Sequence, residues 1–268
     1  MLDFSIDQAE GLRRLMHGPK KRLISILATD PSSLIFDVAN ALHQQSANIL
    51  LVLARDHGID TPHPQQTAEY LSLLELMNNG VDPQTIRFAH HQGFACVRLY
   101  PEQYGDVPSC MIENAKLNDY FSKAITRHDL VLVDASLSSK NCLPLALMNQ
   151  GEIVVELNQQ HESIKQAYST IKRLSSTLGA RSFGILIRDS HEQVAHEIFS
   201  RMQQVSLSFL QTPLQFLGYT PSYGTLSNHL AKSNIDLGGE GLDTSSDVIK
   251  KLLVNMRTPN HQYSVSAK

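Results

Sequence analysis

Cysteine is scarce in this chain. The 268 residues contain three, Cys96, Cys110 and Cys142, widely spaced and with no Cys-x-x-Cys pair. That excludes a zinc ribbon, thioredoxin-type redox chemistry and a disulfide framework, and it predicts free thiols in a reducing, cytoplasmic compartment. No long uncharged apolar run is present, so no transmembrane helix is expected. The first twenty residues are too charged and too helical in pattern for a secretion signal. Aromatic residues are 6% of the chain and are not interleaved with basic ones, which argues against stacking on single-stranded nucleic acid. A formal net charge of -3 gives no electrostatic basis for wrapping a nucleic acid of any kind. There is no Gly-x-Ser-x-Gly elbow and no internal repeat of 20–50 residues.

What is present is a core-forming composition, 42% hydrophobic, arranged as apolar runs alternating with helical patterns. Strand-like runs lie at Lys21–Ala28, Asn48–Ala54, Phe94–Leu99, Asp129–Asp134, Glu152–Leu157, Phe183–Ile187 and Leu214–Tyr219. Helical spacing marks Ile35–Gln45, Gln65–Met77, Ile112–Thr126, Leu143–Met148, His161–Leu178 and Glu192–Leu210. Continuous β-rich runs separated by helices predict βαβ units and a mostly parallel sheet covered on both faces, an α/β protein of three layers. Ligands of such sheets bind beyond the carboxyl ends of the strands.

Three organisational units follow. Residues 1–19 form an N-terminal helix and linker, residues 20–224 the α/β domain, and residues 225–268 a tail. In the first, Ser5 and Gln8 fit a capping box, Asp7 sits in the positive first turn, and Gly18-Pro19 stops the helix. Ile6, Ala9, Leu12 and Met16 make an apolar stripe. In the tail, Gly238-Gly239-Glu240-Gly241 reads as a joint. Val248, Ile249, Leu252, Leu253 and Met256 then share one helix face, bordered by Lys250, Lys251 and Arg257. That face suits either weak, reversible contact with an anionic membrane or docking on the protein's own sheet. His191 and His196 are five residues apart, the wrong spacing for a zinc-protease helix, and read as a solvated face. His90-His91 reads as a loop, and two adjacent histidines alone make a poor metal site. No metal ligand set is expected.

Asp7-Gln8-Ala9-x-x-Leu12-Arg13, a short basic linker and then a β-strand resemble the N-terminus of the FlhG/FleN family, MinD-like regulators of the number and placement of bacterial flagella. Leu143-Pro144-Leu145-Ala146-Leu147, the stretch from Ser163 to Lys172, and Phe216-Leu217-Gly218-Tyr219-Thr220-Pro221 also resemble segments of these proteins. The resemblance implies a MinD/ParA-like sheet of the SIMIBI P-loop NTPase type. It implies a partner, the signal-recognition-type GTPase FlhF, engaged by Asp7, Gln8, Ala9, Leu12 and Arg13. It also implies contact with other flagellar assembly or regulatory proteins, and a cytoplasmic location peripheral to the inner membrane at the flagellar pole. The amphipathic tail helix matches the region where MinD-type proteins carry a membrane-targeting helix.

The same resemblance implies ATP and magnesium, and here the chain departs from the pattern. A phosphate loop needs glycines, a lysine and a Ser/Thr directly after the first strand. That strand instead runs into Asp30-Pro31-Ser32-Ser33-Leu34. No glycine lies between Gly18 and Gly58, and no lysine between Lys21 and Lys116. After the second strand Ala54-Arg55-Asp56 keeps one of two expected carboxylates. Asp134 matches the Walker B aspartate, but Ala135-Ser136-Leu137 lacks the glycine expected near the γ-phosphate. Arg188-Asp189 stands where the family often reads adenine with an Asn. The expectation is a pseudo-ATPase with no catalytic residue and no cofactor, in which Asp56 and Asp134 are remnants that anchor loops or cap helices. Two other readings are a divergent ATPase that still binds ATP, and a MinD-like scaffold unconnected with flagella.

Overall fold

A computed structural model describes residues 22–29, 35–43, 48–55, 72–91, 93–101, 111–138 and 140–220. The elements in chain order are β1 (Arg22–Ala28), α1 (Ile35–His43), β2 (Ile49–Ala54), α2 (Leu73–Asn78), β3 (Ala89–His91), β4 (Phe94–Arg98), α3 (Met111–Ala124), β5 (Leu130–Ala135), α4 (Ala146–Gln150), β6 (Glu152–Asn158), α5 (His161–Leu178), β7 (Phe183–Arg188), α6 (Glu192–Leu210) and β8 (Leu214–Tyr219). A turn of 3-10 helix, Ile125–Arg127, extends α3.

The strands form one sheet in the order β3-β4-β2-β5-β1-β6-β7-β8. Seven are parallel, and β3 runs antiparallel to β4. The near-continuous apolar runs follow from burial on both faces. One face buries Leu27, Leu50, Val52, Val131, Val133, Val155 and Ile185 against α2 to α6. The other buries Ile24, Ile26, Leu51, Leu132 and Val154 against Ile35, Ala39 and Leu42 of α1. The expected α/β architecture is therefore the one observed. Helix α5 shows why these segments are helical: its buried residues Ser163, Ala167, Ile171 and Leu174 repeat at helical spacing, and Gly179, at φ +77°, ends it.

Two elements differ from the sequence reading. The histidine pair, read as a loop, lies in β3, which pairs Ala89 with Cys96 and His91 with Phe94. The reversal uses Gly93 at φ +99°. The short helix read at Leu143–Met148 begins later, at Ala146, because Leu145 is its N-cap, with extended backbone (φ -115°, ψ 145°). The helix read from Gln65 reaches the described residues only as Leu73–Asn78. Its N-cap Ser72 accepts a hydrogen bond from the Glu75 N–H at 3.3 Å.

Two contacts tie the amino-terminal side of the sheet. Arg22 of β1 grips Glu152 of β6 through two hydrogen bonds of 2.8 and 2.6 Å. Arg181 donates to the backbone carbonyls of Asn149 and Gly151, which satisfies orphan acceptors at the end of α4. Burial holds the Arg181 guanidinium below its ordinary pKa.

Gly184 in β7 marks a close approach within the sheet. A Cβ there would lie 2.5 Å from Leu217 Cδ1 and 3.1 Å from Val154 Cγ2. The pairing of β7 with β8 slips at this level, between Ile185 and Leu186, a bulge that lets Leu217 turn into the core. Gly184→Ala should therefore overpack the sheet and cost about 1–3 kcal/mol, read as a lower urea midpoint with unchanged slope. A midpoint equal to that of the parent would contradict this packing.

Candidate functional site

The carboxyl ends of the central strands are where a parallel sheet of this kind binds ligands. In this chain that edge carries charged side chains that are buried and paired with one another. Leu53 of β2 and Ile26 of β1 both stand in register with Asp134 of β5. Asp134 is almost completely buried, its side chain 2% exposed. Arg55, the first residue past β2, reaches across to it. Its Nε lies 3.1 Å and its Nη2 3.0 Å from the same oxygen, Asp134 Oδ1. The Arg55 side chain is itself 11% exposed. A charge-assisted contact of this geometry, removed from water, is strong, and it supplies the cation without which a buried carboxylate is costly.

A second pair lies on the other side of β1. Arg188, at the end of β7, places Nε 3.6 Å from Glu156 Oε1 of β6 and 3.5 Å from Asp189 Oδ2. The Arg188 and Glu156 side chains are 8% and 2% exposed. Between the two pairs, β1 ends at Ala28, and Thr29, the next residue, is held by hydrogen bonds to β6 and α5. Its N–H donates to the Glu156 carbonyl at 3.0 Å. Its Oγ1 lies 2.7 Å from Ser163 Oγ, which accepts from the Asn158 N–H at 2.9 Å. Asn158 Oδ1 in turn accepts from the Gln160 N–H at 2.9 Å, at the start of α5. Strand end, loop and helix start are thereby fixed by short hydrogen bonds within the chain.

The charges named here are two guanidiniums, Arg55 and Arg188, against three carboxylates, Asp134, Glu156 and Asp189. The balance is negative, the wrong sign for attracting a polyphosphate. Magnesium in nucleotide sites is held by one or two carboxylates plus phosphate oxygens. Asp134 would be the natural ligand, but the oxygen Oδ1 already takes two guanidinium contacts, and a dication brought beside Arg55 would be repelled by it. Paired as it is with Arg55, Asp134 is a poor ligand for magnesium. The described residues contain no group of three or more His, Cys, Asp or Glu able to hold a metal.

Of the nucleotide-site residues singled out from sequence, Asp134, Arg188 and Asp189 fall within this description. Asp7, Gln8, Ala9, Leu12 and Arg13, the Asp30–Leu34 stretch, Asp56, and Val248 to Met256 lie outside the described residues. Arg188, read as the residue in the base-reading position, is buried against Glu156. His191 caps α6 and His196 lies on its exposed side, its ring 4.6 Å from that of Phe216. Sequence reasoning missed Arg55 and Glu156 as members of the site. A signal was present for Glu156: a carboxylate inside the apolar run of β6, in a sheet buried on both faces, demands a buried cation.

No helix among the described residues is long and apolar enough to cross a membrane. No family model matches the chain. It is similar to antiactivator FleN of Pseudomonas aeruginosa, 26% identical over 129 residues, which are 47% of this chain and 46% of FleN. The chain thus matches about half the length of that relative. Among solved structures it is similar to the MinD cell division protein of Aquifex aeolicus, at TM-score 0.58 and 14% identity, covering 89% of this chain and 98% of that one. It is also similar to Pyrococcus horikoshii MinD in complex with Mg-ADP, at TM-score 0.53 and 12% identity, covering 88% and 96%. These likenesses establish the fold.

Proposed function

We propose that this MinD-like chain of the FlhG/FleN type regulates flagellar number or placement without using ATP. It acts by binding protein partners, first among them a signal-recognition GTPase of the FlhF type. The observation that carries this reading is Arg55 on Asp134. Where MinD-type ATPases keep an aspartate for metal and water, this chain has bound its aspartate to its own arginine. The sequence that follows β1, Asp30-Pro31-Ser32-Ser33-Leu34, supports the same reading, since it offers neither the glycines nor the lysine that phosphates need. The similarity to FleN points the function toward flagellar control. The recognition surface is then the Asp7–Arg13 motif, with Leu12 and Ala9 as apolar anchors, Asp7 and Arg13 setting register by charge, and Gln8 directed to the partner's nucleotide site. The location that goes with this role is the cytoplasmic side of the inner membrane at the flagellar pole.

Isothermal titration of the full chain with Mg-ATP tests the first half of the proposal. No saturable heat is expected up to millimolar nucleotide. A dissociation constant in the micromolar range would overturn it and revive a divergent ATPase.

A further inference from the structure

Among the described residues, the large apolar side chains left exposed are Val194, Val205, Leu207 and Phe209, all on α6. Phe209, 77% exposed, is the extreme case. Val194, Ile198, Val205 and Phe209 recur at helical spacing, so they make one stripe along α6, with Leu207 on another side. The other flank of α6 is occupied. There His196 and Phe199 lie against Phe216 of β8, and Gln203 accepts from the Leu214 N–H. The stripe therefore lies on the flank toward α5, whose Ser175 Oγ is 3.1 Å from Thr212 Oγ1, just past the end of α6. Contiguous exposed apolar surface of this kind marks a docking site.

We infer that this stripe is the resting seat of the chain's own N-terminal segment, which docks there through Ile6, Ala9, Leu12 and Met16. Two observations select that occupant. The first is where the segment joins the fold. It enters at Arg22, the start of β1, on the amino-terminal edge of the sheet. Helix α6 runs back to the same edge: it ends at Leu210, and Leu214 then stands in register with Phe183 at the start of β7. With β6 and β7 next to β1 in the sheet, the seam of β7 and β8 lies about 12 Å to the side. Residues 17–21 span at most about 17 Å, enough to bring Met16 to the Phe209 end of the stripe. The second observation is charge. With Met16 beside Phe209 and Leu12 beside Val205, the helical rise brings Asp7 and Glu10 to the level of Arg201. That side chain is 82% exposed and only loosely paired with Glu197, at 3.9 Å. Exposed Lys172, on the flank of α5 that carries Ser175, adds a second cation. The tail face of Val248 to Met256 is bordered by Lys250, Lys251 and Arg257, which the same cations repel. Docking covers Ala9 and Leu12, so a partner must displace the segment to reach the Asp7–Arg13 motif. That consequence rests on the partner-binding reading above; the contact itself does not.

Limited trypsin cleavage of the full chain after Arg13 and Arg14 reads the contact, because a docked helix is cut only when it opens. Phe209→Asp should speed that cleavage about tenfold or more while the α/β domain stays uncut, since Phe209 is exposed on the domain. Leu12→Asp should do the same, and the two changes together should give cleavage no faster than either alone. Wild-type rates should not change on dilution. Should Phe209→Asp open the domain itself, the milder Phe209→Ser decides by the same comparison. Equal cleavage of wild type and the Phe209 variant would overturn the inference. So would an effect confined to Lys250 and Lys251, which would assign the stripe to the tail. Wild-type protection that falls on dilution would assign it to a second copy of the chain and overturn the inference too. The two proposals fail separately. If an FlhF-type GTPase does not respond to the chain but the cleavage contrast holds, the partner reading is lost and the contact stands. If the GTPase responds through Leu12 but cleavage is alike in wild type and the Phe209 variant, the contact is lost and the partner reading stands.

Discussion

Arg55→Leu should lower the free energy of unfolding by about 3–5 kcal/mol, because it removes the cation paired with a buried carboxylate. Asp134→Leu should cost a similar amount by removing the carboxylate paired with the guanidinium. The two changes together should cost far less than their sum, on the order of 0–2 kcal/mol, since a buried ion pair is close to break-even with apolar side chains of similar volume. The physical reason lies in the environment of each group. Asp134 stands in register between Leu53 of β2 and Ile26 of β1, and its side chain is 2% exposed, so bulk water does little to screen its charge. Urea unfolding of the four proteins completes a double-mutant cycle. Strictly additive costs would mean that the two side chains stabilise the fold independently and that the pair does not define this edge. The predicted non-additivity is a much larger effect than any surface pair here should give. Lys123–Asp119, for instance, is exposed at both ends and should contribute a few tenths of a kcal/mol.

The architecture was legible because its signals are local. The seven parallel strands are apolar runs that meet the core with both faces, and the long helices α5 and α6 repeat their buried residues at helical spacing. Ala89–His91 was not legible as a strand: three residues, two of them histidine, carry no apolar pattern, and their pairing with β4 depends on the reversal at Gly93. The start of α4 was misplaced because apolar spacing continues through Leu143 and Leu145 while the backbone there is extended ahead of the helix. At the site, sequence showed chiefly what was missing. It identified Asp134 and the lack of phosphate-loop residues, but not what neutralises the aspartate. Arg55 and Asp134 are 79 residues apart and meet because β2 and β5 are neighbours in the sheet, a register that no local pattern specifies. The same holds for Arg188 and Glu156, brought together by the pairing of β6 with β7.

With FlhF-type GTPase present, the full chain should raise GTP turnover, and Gln8→Ala/Leu12→Asp should abolish that rise. A buried apolar anchor exchanged for a carboxylate typically costs 2 kcal/mol or more, roughly 30-fold in affinity, and loss of Gln8 removes the group proposed to reach the nucleotide site. The stripe of Ile6, Ala9, Leu12 and Met16 gives the motif one apolar face for such a contact. The stimulation should also be the same with ATP, with ADP and without adenine nucleotide. This second arm links the two ends of the argument. In an ATP-switched regulator, exposure of the helix would follow the nucleotide state of the domain. On the proposed nucleotide-independent reading the domain has no such states to alternate between, and the Asp7–Arg13 motif is governed by partner concentration or by contacts outside the nucleotide edge. Equal stimulation by wild type and the double variant would remove the motif from the mechanism. Stimulation that rises with ATP would instead restore a nucleotide switch, and with it a role for Asp134 that its pairing with Arg55 argues against.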